Sequence, residues 1–365
     1  MRIAFFAHSI LADWKNGRAH FLRGLARELS RLRHEVCFYE AGNNDAACKQ
    51  TNEVGRSTLL ETLKAFPFLK VRLYRDGGRD PKPLLRQALA EADVAFVSQC
   101  AEGSIIRAVP ELLRPGQICV FHDSQYRLPF EEARYRTYGL ERYDVVLACA
   151  GSLASTFRTR LGLDRVEVLH EAADTDLFYP RPCRQDVDLL LIANGDRDLP
   201  LREYFLDQSL VFPHLRFCLY GTDHGEQARQ QFRTTYRVDY RGWVPNVQTP
   251  PLYARSRLAL HLHRDSYAQV EGSPTIRPFE AFATRTCLLT GPWQDTDGLF
   301  NEGEHYLRAS SPAAATELIR YLLENRPARE RIAEAGYRNL LARHTCRHRA
   351  VQLLGIVARY HRAAA

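Results

Sequence analysis

The sequence is poor in the features that settle a protein's class at a glance. No apolar run approaches the roughly 18 consecutive residues that a membrane-spanning helix requires. Methionine occurs once, and of the 50 basic residues only five are lysine, at positions 15, 49, 64, 70 and 82, against 45 arginines. No five like charges stand together, which argues against a nucleic-acid-binding arm. The nine cysteines contain no C-x-x-C pair, which removes the zinc-ribbon and thioredoxin-like readings. Neither G-x-G-x-x-G nor G-x-S-x-G occurs, so a nicotinamide-dependent oxidoreductase and a serine-hydrolase elbow are both disfavoured.

What is present describes a globular chain with a cationic surplus. Its 365 residues, 45% hydrophobic and 25% charged, imply about two domains at roughly 150 residues each. The first residues, Met-Arg-Ile-Ala-Phe-Phe-Ala, turn polar at His8 and read as a buried strand rather than a signal peptide. Cys37, Cys119, Cys149, Cys218 and Cys287 lie in apolar runs, as reduced buried thiols do. A reducing cytoplasm is therefore expected, with peripheral attachment to a membrane left open. The net charge of +7 suits either a solvated arginine surface or an anionic ligand, since guanidinium groups bind phosphate bidentately.

Short β-rich runs alternate with helical spacing along the whole chain. Ile3–Ala7, Glu35–Tyr39, Val94–Ser98, Ile118–Phe121 and Val145–Cys149 read as strands in the first half. Val187–Ala193, Leu215–Tyr220, Leu258–Leu262 and Thr286–Thr290 read as strands in the second. Such alternation predicts parallel sheets with crossover helices, an α/β protein. The clearest helix runs from Ala19 to Arg33, with Phe21, Leu22, Leu25, Leu29 and Leu32 on one face and Arg23, Arg27, Glu28 and Arg31 opposite. Tyr-Pro-Arg-Pro at 179–182 interrupts the pattern because proline lacks the backbone donor that a helix or central strand needs. Two Rossmann-like domains follow, 1–178 and 179–345. A tail helix over 346–365, with Val351, Leu354 and Val357 on one side, is expected to pack back on the first domain.

In open parallel sheets the ligand lies beyond the carboxyl ends of the strands, so the loops there carry the candidate chemistry. After the first strand, Asn16, Gly17 and Arg18 open the first helix, where free N–H groups favour an anion. After Ile118–Phe121 come His122 and Asp123, a pair able to hold a sugar hydroxyl or a developing negative charge, or simply to satisfy each other in a loop. In the second half, Glu271-Gly-Ser-Pro-Thr-Ile-Arg-Pro-Phe-Glu280 leads into a helix predicted over Phe279–Thr284, with Ser273 as its cap and Pro274 or Pro278 in its first turn. That arrangement presents bare N–H groups beside Arg277, as a diphosphate site does, and Glu280 could accept two ribose hydroxyls.

These segments together resemble a known family. Asp144-Val-Val-Leu-Ala-Cys-Ala-Gly-Ser152 and Val166-Glu-Val-Leu-His-Glu-Ala-Ala-Asp-Thr-Asp-Leu-Phe-Tyr-Pro180 are similar to the interdomain segment of group 1, family 4-like glycosyltransferases of the GT-B fold. Tyr240-Arg-Gly-Trp-Val-Pro245, the stretch Ser273–Thr284 and Thr286-Cys-Leu-Leu-Thr290 resemble their donor domain. Ala12-Asp-Trp-Lys-Asn-Gly-Arg-Ala-His-Phe-Leu22, Glu330-Arg-Ile-Ala-Glu-Ala-Gly336 and His344-Thr-Cys-Arg-His-Arg349 resemble the CgeB-like, spore-maturation-protein-like subgroup.

The resemblance implies two Rossmann-like domains facing across a cleft, with a nucleotide-diphosphate sugar as co-substrate and no other cofactor. By position, Trp243 and Val244 would meet the nucleobase, Glu280 the ribose, and Ser273, Pro274, Thr275, Ile276 and Arg277 the diphosphate and sugar. Gly195 and Arg197 fall where the family has a phosphate loop, Asn16 and Gly17 would close over the diphosphate, and His122 would touch the donor sugar. Retention without a chelated metal is favoured by resemblance, and inversion with Asp123 or His122 as base stays open. The acceptor is expected to be a glycan, a lipid-linked group or a protein, with nucleic acid ranked behind them.

Several features cut against a simple carry-over. The wider family has two glutamates separated by seven residues, but Gly272 stands where the first would be, with Glu271 one place away. A noncatalytic sugar-binding or coat-assembly protein is therefore a second reading, and a nucleic-acid-modifying transferase, prompted by the arginines, a third. Asp174-Thr-Asp176 and Asp295-Thr-Asp297 resemble metal-chelating D-x-D sequences but fit capping and turn roles better. His261 and His263 read as hydrogen-bonded strand histidines rather than metal ligands.

Overall fold

The computed structural model describes residues 1–75, 80–195, 198–264, 272 and 275–364. The chain divides into two compact units: Met1–Asp174 with Cys346–Ala365, and Thr175–Thr345. The division falls a few residues before Phe178, where the sequence suggests it. The reason is local: Phe178 is fully buried and packs edge-on against Tyr253 of the second unit, ring centroids 6.5 Å apart.

The first unit is built on a seven-stranded parallel sheet. In chain order its strands are β1 (Arg2–Phe6), β2 (Glu35–Ala41), β3 (Lys70–Tyr74), β4 (Val94–Ser98), β5 (Ile118–Asp123), β6 (Val145–Ala148) and β7 (Val166–Val168). In space they run β3-β2-β1-β4-β5-β6-β7, so the direction of winding reverses between β1 and β4. Phe38, Phe5 and Phe96 pack side by side across the adjacent strands β2, β1 and β4, with Phe5 4.9 Å from Phe38 and 4.5 Å from Phe96 by ring centroid.

The second unit repeats the plan with β8 (Val187–Ile192), β9 (Phe217–Tyr220), β10 (Asp239–Gly242), β11 (Ser256–His261), β12 (Cys287–Thr290) and β13 (Tyr306–Arg308). Their order is β10-β9-β8-β11-β12-β13, and every pairing is parallel. Leu189, Leu191, Phe217, Leu219, Leu258, Leu260 and Leu289 form the core of this unit with Phe205, Ile319 and Leu322 from its helices.

Nine of the described strands are those read from sequence, displaced by at most two residues at either end. The four additional ones, β3, β7, β10 and β13, are the four sheet edges. An edge strand is not buried on both faces, so it carries no continuous apolar run to betray it.

Two helical faces also differ from expectation. The first helix spans Ala19–Arg31, and Arg23 and Glu28, assigned to its polar side, are buried. The closing helix Cys346–Ala364 belongs to the first unit. Its buried face runs through Ala350, Leu353, Ile356 and Val357, whereas Val351 is 55% exposed.

These two helices meet at Gly24. A Cβ there would lie 2.6 Å from Cys346 Sγ and 2.7 Å from Asp174 Cβ. Gly24→Ala should therefore destabilise the fold by about 1–3 kcal/mol through overpacking. Gly355, in the closing helix, has open space around the same position, so Gly355→Ala should stabilise by about 0.5–1 kcal/mol. Denaturant unfolding of the two variants would measure the contrast, and equal effects would remove Gly24 as the contact point.

Candidate active site

At the winding reversal of the first sheet, the loop after β1 is fixed by a buried polar network. The Ser9 hydroxyl donates to Ala12 O and accepts from Ala12 N–H, at 2.9 and 3.0 Å. Arg23, fully buried, donates from Nε to Ile10 O at 2.7 Å and pairs with Asp13 at 3.4 Å. Glu40, on β2, accepts from Ile10 N–H at 2.5 Å and Leu11 N–H at 3.3 Å, and Gln50 accepts from Asp13 N–H at 2.9 Å.

This loop borders a cavity of about 440 Å³ at the strand carboxyl ends. Its walls include Asn16 and Arg18 after β1, Lys49 after β2, Gln99 after β4, and Ser124 and Arg127 after β5. Asn16 donates from its side chain to Ser9 O at 3.1 Å, and Arg18 pairs with buried Glu171 at 2.7 Å. Gly17 sits between them, half-buried.

His122 and Asp123 do not pair with each other. His122 is 1% exposed, with its ring between those of Phe21 and Phe96 at 6.3 and 5.2 Å, and neither ring nitrogen has a hydrogen-bond partner among the described residues. Burial first, and then the charge of Arg18, push its pKa down to about 3. The Asp123 carboxylate accepts from Gln125 N–H at 2.9 Å, Tyr126 N–H at 3.1 Å and the Tyr135 hydroxyl at 2.7 Å. It braces the turn that follows β5.

In the second unit, the ends of β8, β9 and β10 are tied together through glycine. Gly195 N–H donates to Thr222 O at 2.9 Å, and Gly221 N–H donates to Gly242 O at 2.8 Å. A Cβ on Gly221 would fall 1.7 Å from Ala193 O, and one on Gly195 would fall 2.3 Å from Asp223 O. No side chain fits at either position. Beyond Gly242, Trp243 and Val244 are half-buried on the turn leading to the helix Thr249–Ala254.

That helix supplies Tyr253, whose hydroxyl donates to Glu280 at 2.8 Å, while Arg277 donates to the same carboxylate oxygen at 2.6 Å. The Glu280 side chain is wholly buried and that of Arg277 is 24% exposed. Burial opposes the Arg277 charge, but the Glu280 and Tyr253 groups outweigh it and raise the pKa above the ordinary guanidinium range. The helix carrying both residues spans Ile276–Ala283, beginning earlier than expected, and its cap is Thr275, which accepts from Arg277 N–H at 3.3 Å. Pro278 falls in the first turn, where its missing donor costs nothing. Arg197, Ser273, Pro274 and Glu271 lie outside the described residues.

Two family models match the chain: Glycosyltransferase Family 4 over residues 15–177 and Glycosyl transferase-like over 202–355. No curated protein matches by sequence. Among solved structures, HepE of Anabaena, determined with UDP-glucose, is similar with a TM-score of 0.74 at 15% identity, covering 98% of this chain and 100% of its own. Sucrose-phosphate synthase of Thermosynechococcus elongatus gives 0.72 at 14% identity, with both chains fully covered. An α-glucosyltransferase determined with UDP and a hydroxymethyluracil-containing 13-mer DNA gives 0.70 at 12% identity, over 98% and 99%. At these identities the likeness is one of fold.

The chain is a glycosyltransferase of the GT-B fold. The group 1 level of the sequence resemblance is supported by both models. Two of this glycosyltransferase's D-x-D sequences have other employment: Asp174 pairs with Arg27 at 2.6 Å, and Asp295 accepts from Asp297 and Phe300 N–H at 3.2 and 2.7 Å. His261 and His263 are buried, 4.8 Å apart by ring centroid, against Trp293. Gly272 has φ +68°, and a Cβ on it would be 1.9 Å from Thr296 Oγ1, so no glutamate side chain fits there without rearrangement. The residues that sequence reasoning missed are Arg23, Glu40 and Tyr253. Only the presence of charge or hydroxyl in otherwise apolar segments hinted at them.

Burial pushes the Glu40 carboxyl up to about 7, against the opposing pull of the Ile10 and Leu11 N–H groups and Arg23. The folded chain thus holds this proton more tightly than the unfolded one. Its contribution to stability is complete below pH 4.5, the ordinary value, and is lost as pH rises through 7. The difference amounts to at most about 3 kcal/mol. Unfolding free energy measured from pH 4.5 to 7.5 should fall less steeply in Glu40→Gln than in the unsubstituted protein. Parallel curves would show that Glu40 is already ionised at pH 4.5.

Proposed function

We propose that the protein transfers a sugar from a nucleoside-diphosphate sugar, bound by the second domain, to an acceptor bound by the first, with retention and without a chelated metal. The observation that carries this reading is the convergence of Gly195, Gly221, Gly242 and Trp243 at the carboxyl ends of adjacent strands, in a unit whose following helix brings Arg277 and Glu280 together. Backbone unobstructed by side chains, together with a guanidinium, is suited to a departing diphosphate. Glu280 then serves the ribose once Arg277 turns from it to the diphosphate, a change of partner rather than the making of a new charge. The Trp243 ring offers a face for the base. The UDP or UDP-glucose held by similar folds makes a uridine nucleotide the first donor to try.

In the reaction so envisaged, the bond from the anomeric carbon to the diphosphate oxygen breaks while the acceptor oxygen bonds on the same face. The acceptor proton passes to the departing phosphate. Inversion by His122 or Asp123 has weaker support, because the first is buried with a strongly lowered pKa and the second already accepts three hydrogen bonds. The metal-independent reading is supported by the other engagements of Asp174 and Asp295. The CgeB-like level rests on the motifs at 12–22, 330–336 and 344–349.

Gly272 favours one competing reading, a sugar-binding protein without turnover, since the position of the family's first glutamate has no room for it. A thermal-shift screen of nucleoside diphosphates and their sugars, followed by turnover with each binder, separates the two. A ligand at a hundred times its dissociation constant adds about 2.7 kcal/mol to stability. Binding with neither hydrolysis nor transfer across a broad donor panel would sink the enzymatic reading. Glu280→Ala should weaken nucleotide binding at least about tenfold, the loss expected for a charged hydrogen-bonding group, and Arg277→Ala should lower turnover. Unchanged affinity in the Glu280 variant would refute the ribose assignment.

A further inference from the structure

The first-domain cavity has a charge pattern that the donor reading leaves unused. Its walls carry Lys15, Arg18, Lys49, Arg127 and Arg134 against a single carboxylate, Asp45. Two more carboxylates reach in from outside, Glu171 on Arg18 at 2.7 Å and Glu131 on Arg134 at 3.0 Å. Counting them, and the buried Asp123 carboxylate on which Arg18 also acts, one positive charge remains in excess among the described residues. These cations come from three separate segments, after β1, β2 and β5, with Lys49 and Arg134 on helices, and converge at the winding reversal of the sheet. The first turns of the helices Ala19–Arg31 and Asp45–Val54 border the same cavity through Leu22 and through Asp45 and Ala46, and helix N-termini add further positive potential. Ser98, Gln99, Ser124 and Gln125 complete a polar wall. The hydroxyl and amide wall suits the hydroxyls of a sugar, while the cations call for an anionic group on the same molecule.

We propose that this cavity binds an oxyanion carried by the acceptor, a phosphate or carboxylate group on the molecule to be glycosylated. The proposal rests on the donor reading above and narrows the acceptor class. Lys49 and Arg127 hold the group: Lys49 is exposed at the rim, and Arg127 is only loosely engaged by Glu131, at 3.7 Å. Neither Lys49 nor Arg127 lies on the loop after β1 that carries Asn16 and Gly17.

The test uses the full chain, with inorganic phosphate, glucose 6-phosphate, glucuronate and glucose as probes, each titrated calorimetrically with and without saturating UDP. Phosphate and at least one of the two acidic sugars are expected to bind in the presence of UDP, and glucose is not. Lys49→Ala/Arg127→Ala should weaken the anions at least tenfold and leave UDP affinity within twofold. Binding of phosphate alone, without either acidic sugar, would show an inorganic-ion site and overturn the acceptor assignment. Displacement of phosphate by UDP would assign the cavity to the donor and overturn it as well, as would wild-type phosphate affinity in the double variant or no phosphate binding at all. Should UDP itself fail to bind, the donor reading falls, while the titrations without UDP still report on the cavity.

Discussion

A wholly buried guanidinium, that of Arg23, is the constraint around which the functional end of the first domain is arranged. Burying such a charge is costly unless every face of it is answered. Here Ile10 O, Asp13 and the Phe66 ring at 5.2 Å answer most of it, and Nη2 alone has no hydrogen-bond partner among the described residues. Glu40 contributes from a neighbouring strand while binding two N–H groups of the same loop. The demand of one cation therefore fixes the path of the chain from Ser9 to Asp13. With that path fixed, Asn16 and Arg18 fall at the rim of the cavity, where a loop free to wander would not hold them. Removing one member of such a buried set typically costs 3–5 kcal/mol because the others are left uncompensated. A conformation so determined is a reasonable scaffold for recognising a charged ligand.

The second domain solves the same positional problem by a different physical route. Among the described residues, no buried ion pair organises the ends of β8, β9 and β10. Instead, close approach does: the backbone of Gly221 lies where any side chain would strike Ala193 O, and Gly195 is similarly pressed on Asp223. Successive strand ends are then joined by backbone hydrogen bonds. The outcome suits its proposed ligand. Glycine keeps side chains away from these strand ends, so a diphosphate can approach the backbone closely there, while the N–H groups of Gly195 and Gly221 are themselves engaged by Thr222 O and Gly242 O. A guanidinium enters at the helix Ile276–Ala283, where Arg277 is paired with Glu280 and Tyr253 before any ligand arrives.

How much of this was legible in the sequence depends on burial. Central strands such as Val94–Ser98 and Val187–Ile192 are apolar but for Ser98 and Asp188 because both faces are covered. The edges Lys70–Tyr74 and Asp239–Gly242, by contrast, read as polar loop. Helical periodicity found the first helix but put Arg23 on the wrong face, since a pattern of residue types cannot tell a solvated arginine from one enclosed by partners distant in sequence. The same limit applies to the closing helix, whose packed face is one step round from the Val351 stripe. His122 and Asp123 were legible as a strand-end pair and not as two groups facing different neighbours. Glu280 was found because it sits on a helix opening after a proline- and glycine-bearing loop. Its partner Tyr253, 27 residues away, left no local signal.

The arginine excess has two different explanations in the structure, and they carry different weight. Many arginines form surface pairs along or between helices, such as Arg136 with Glu132, Arg326 with Glu330 and Arg338 with Glu334, with the arginine side chain 56–78% exposed. Pairs of this kind contribute little stability, typically under about 1 kcal/mol each, so stability does not account for the bias. They do, however, neutralise local charge, and each leaves the net balance unchanged. The surplus of +7 must then reside where cations outnumber carboxylates, and the first-domain cavity is such a place even after Asp123, Glu131 and Glu171 are set against it. Three of its five cations are arginines, and the other two are Lys15 and Lys49. A recognition surface therefore accounts for a share of the basic character that fold stability leaves unexplained.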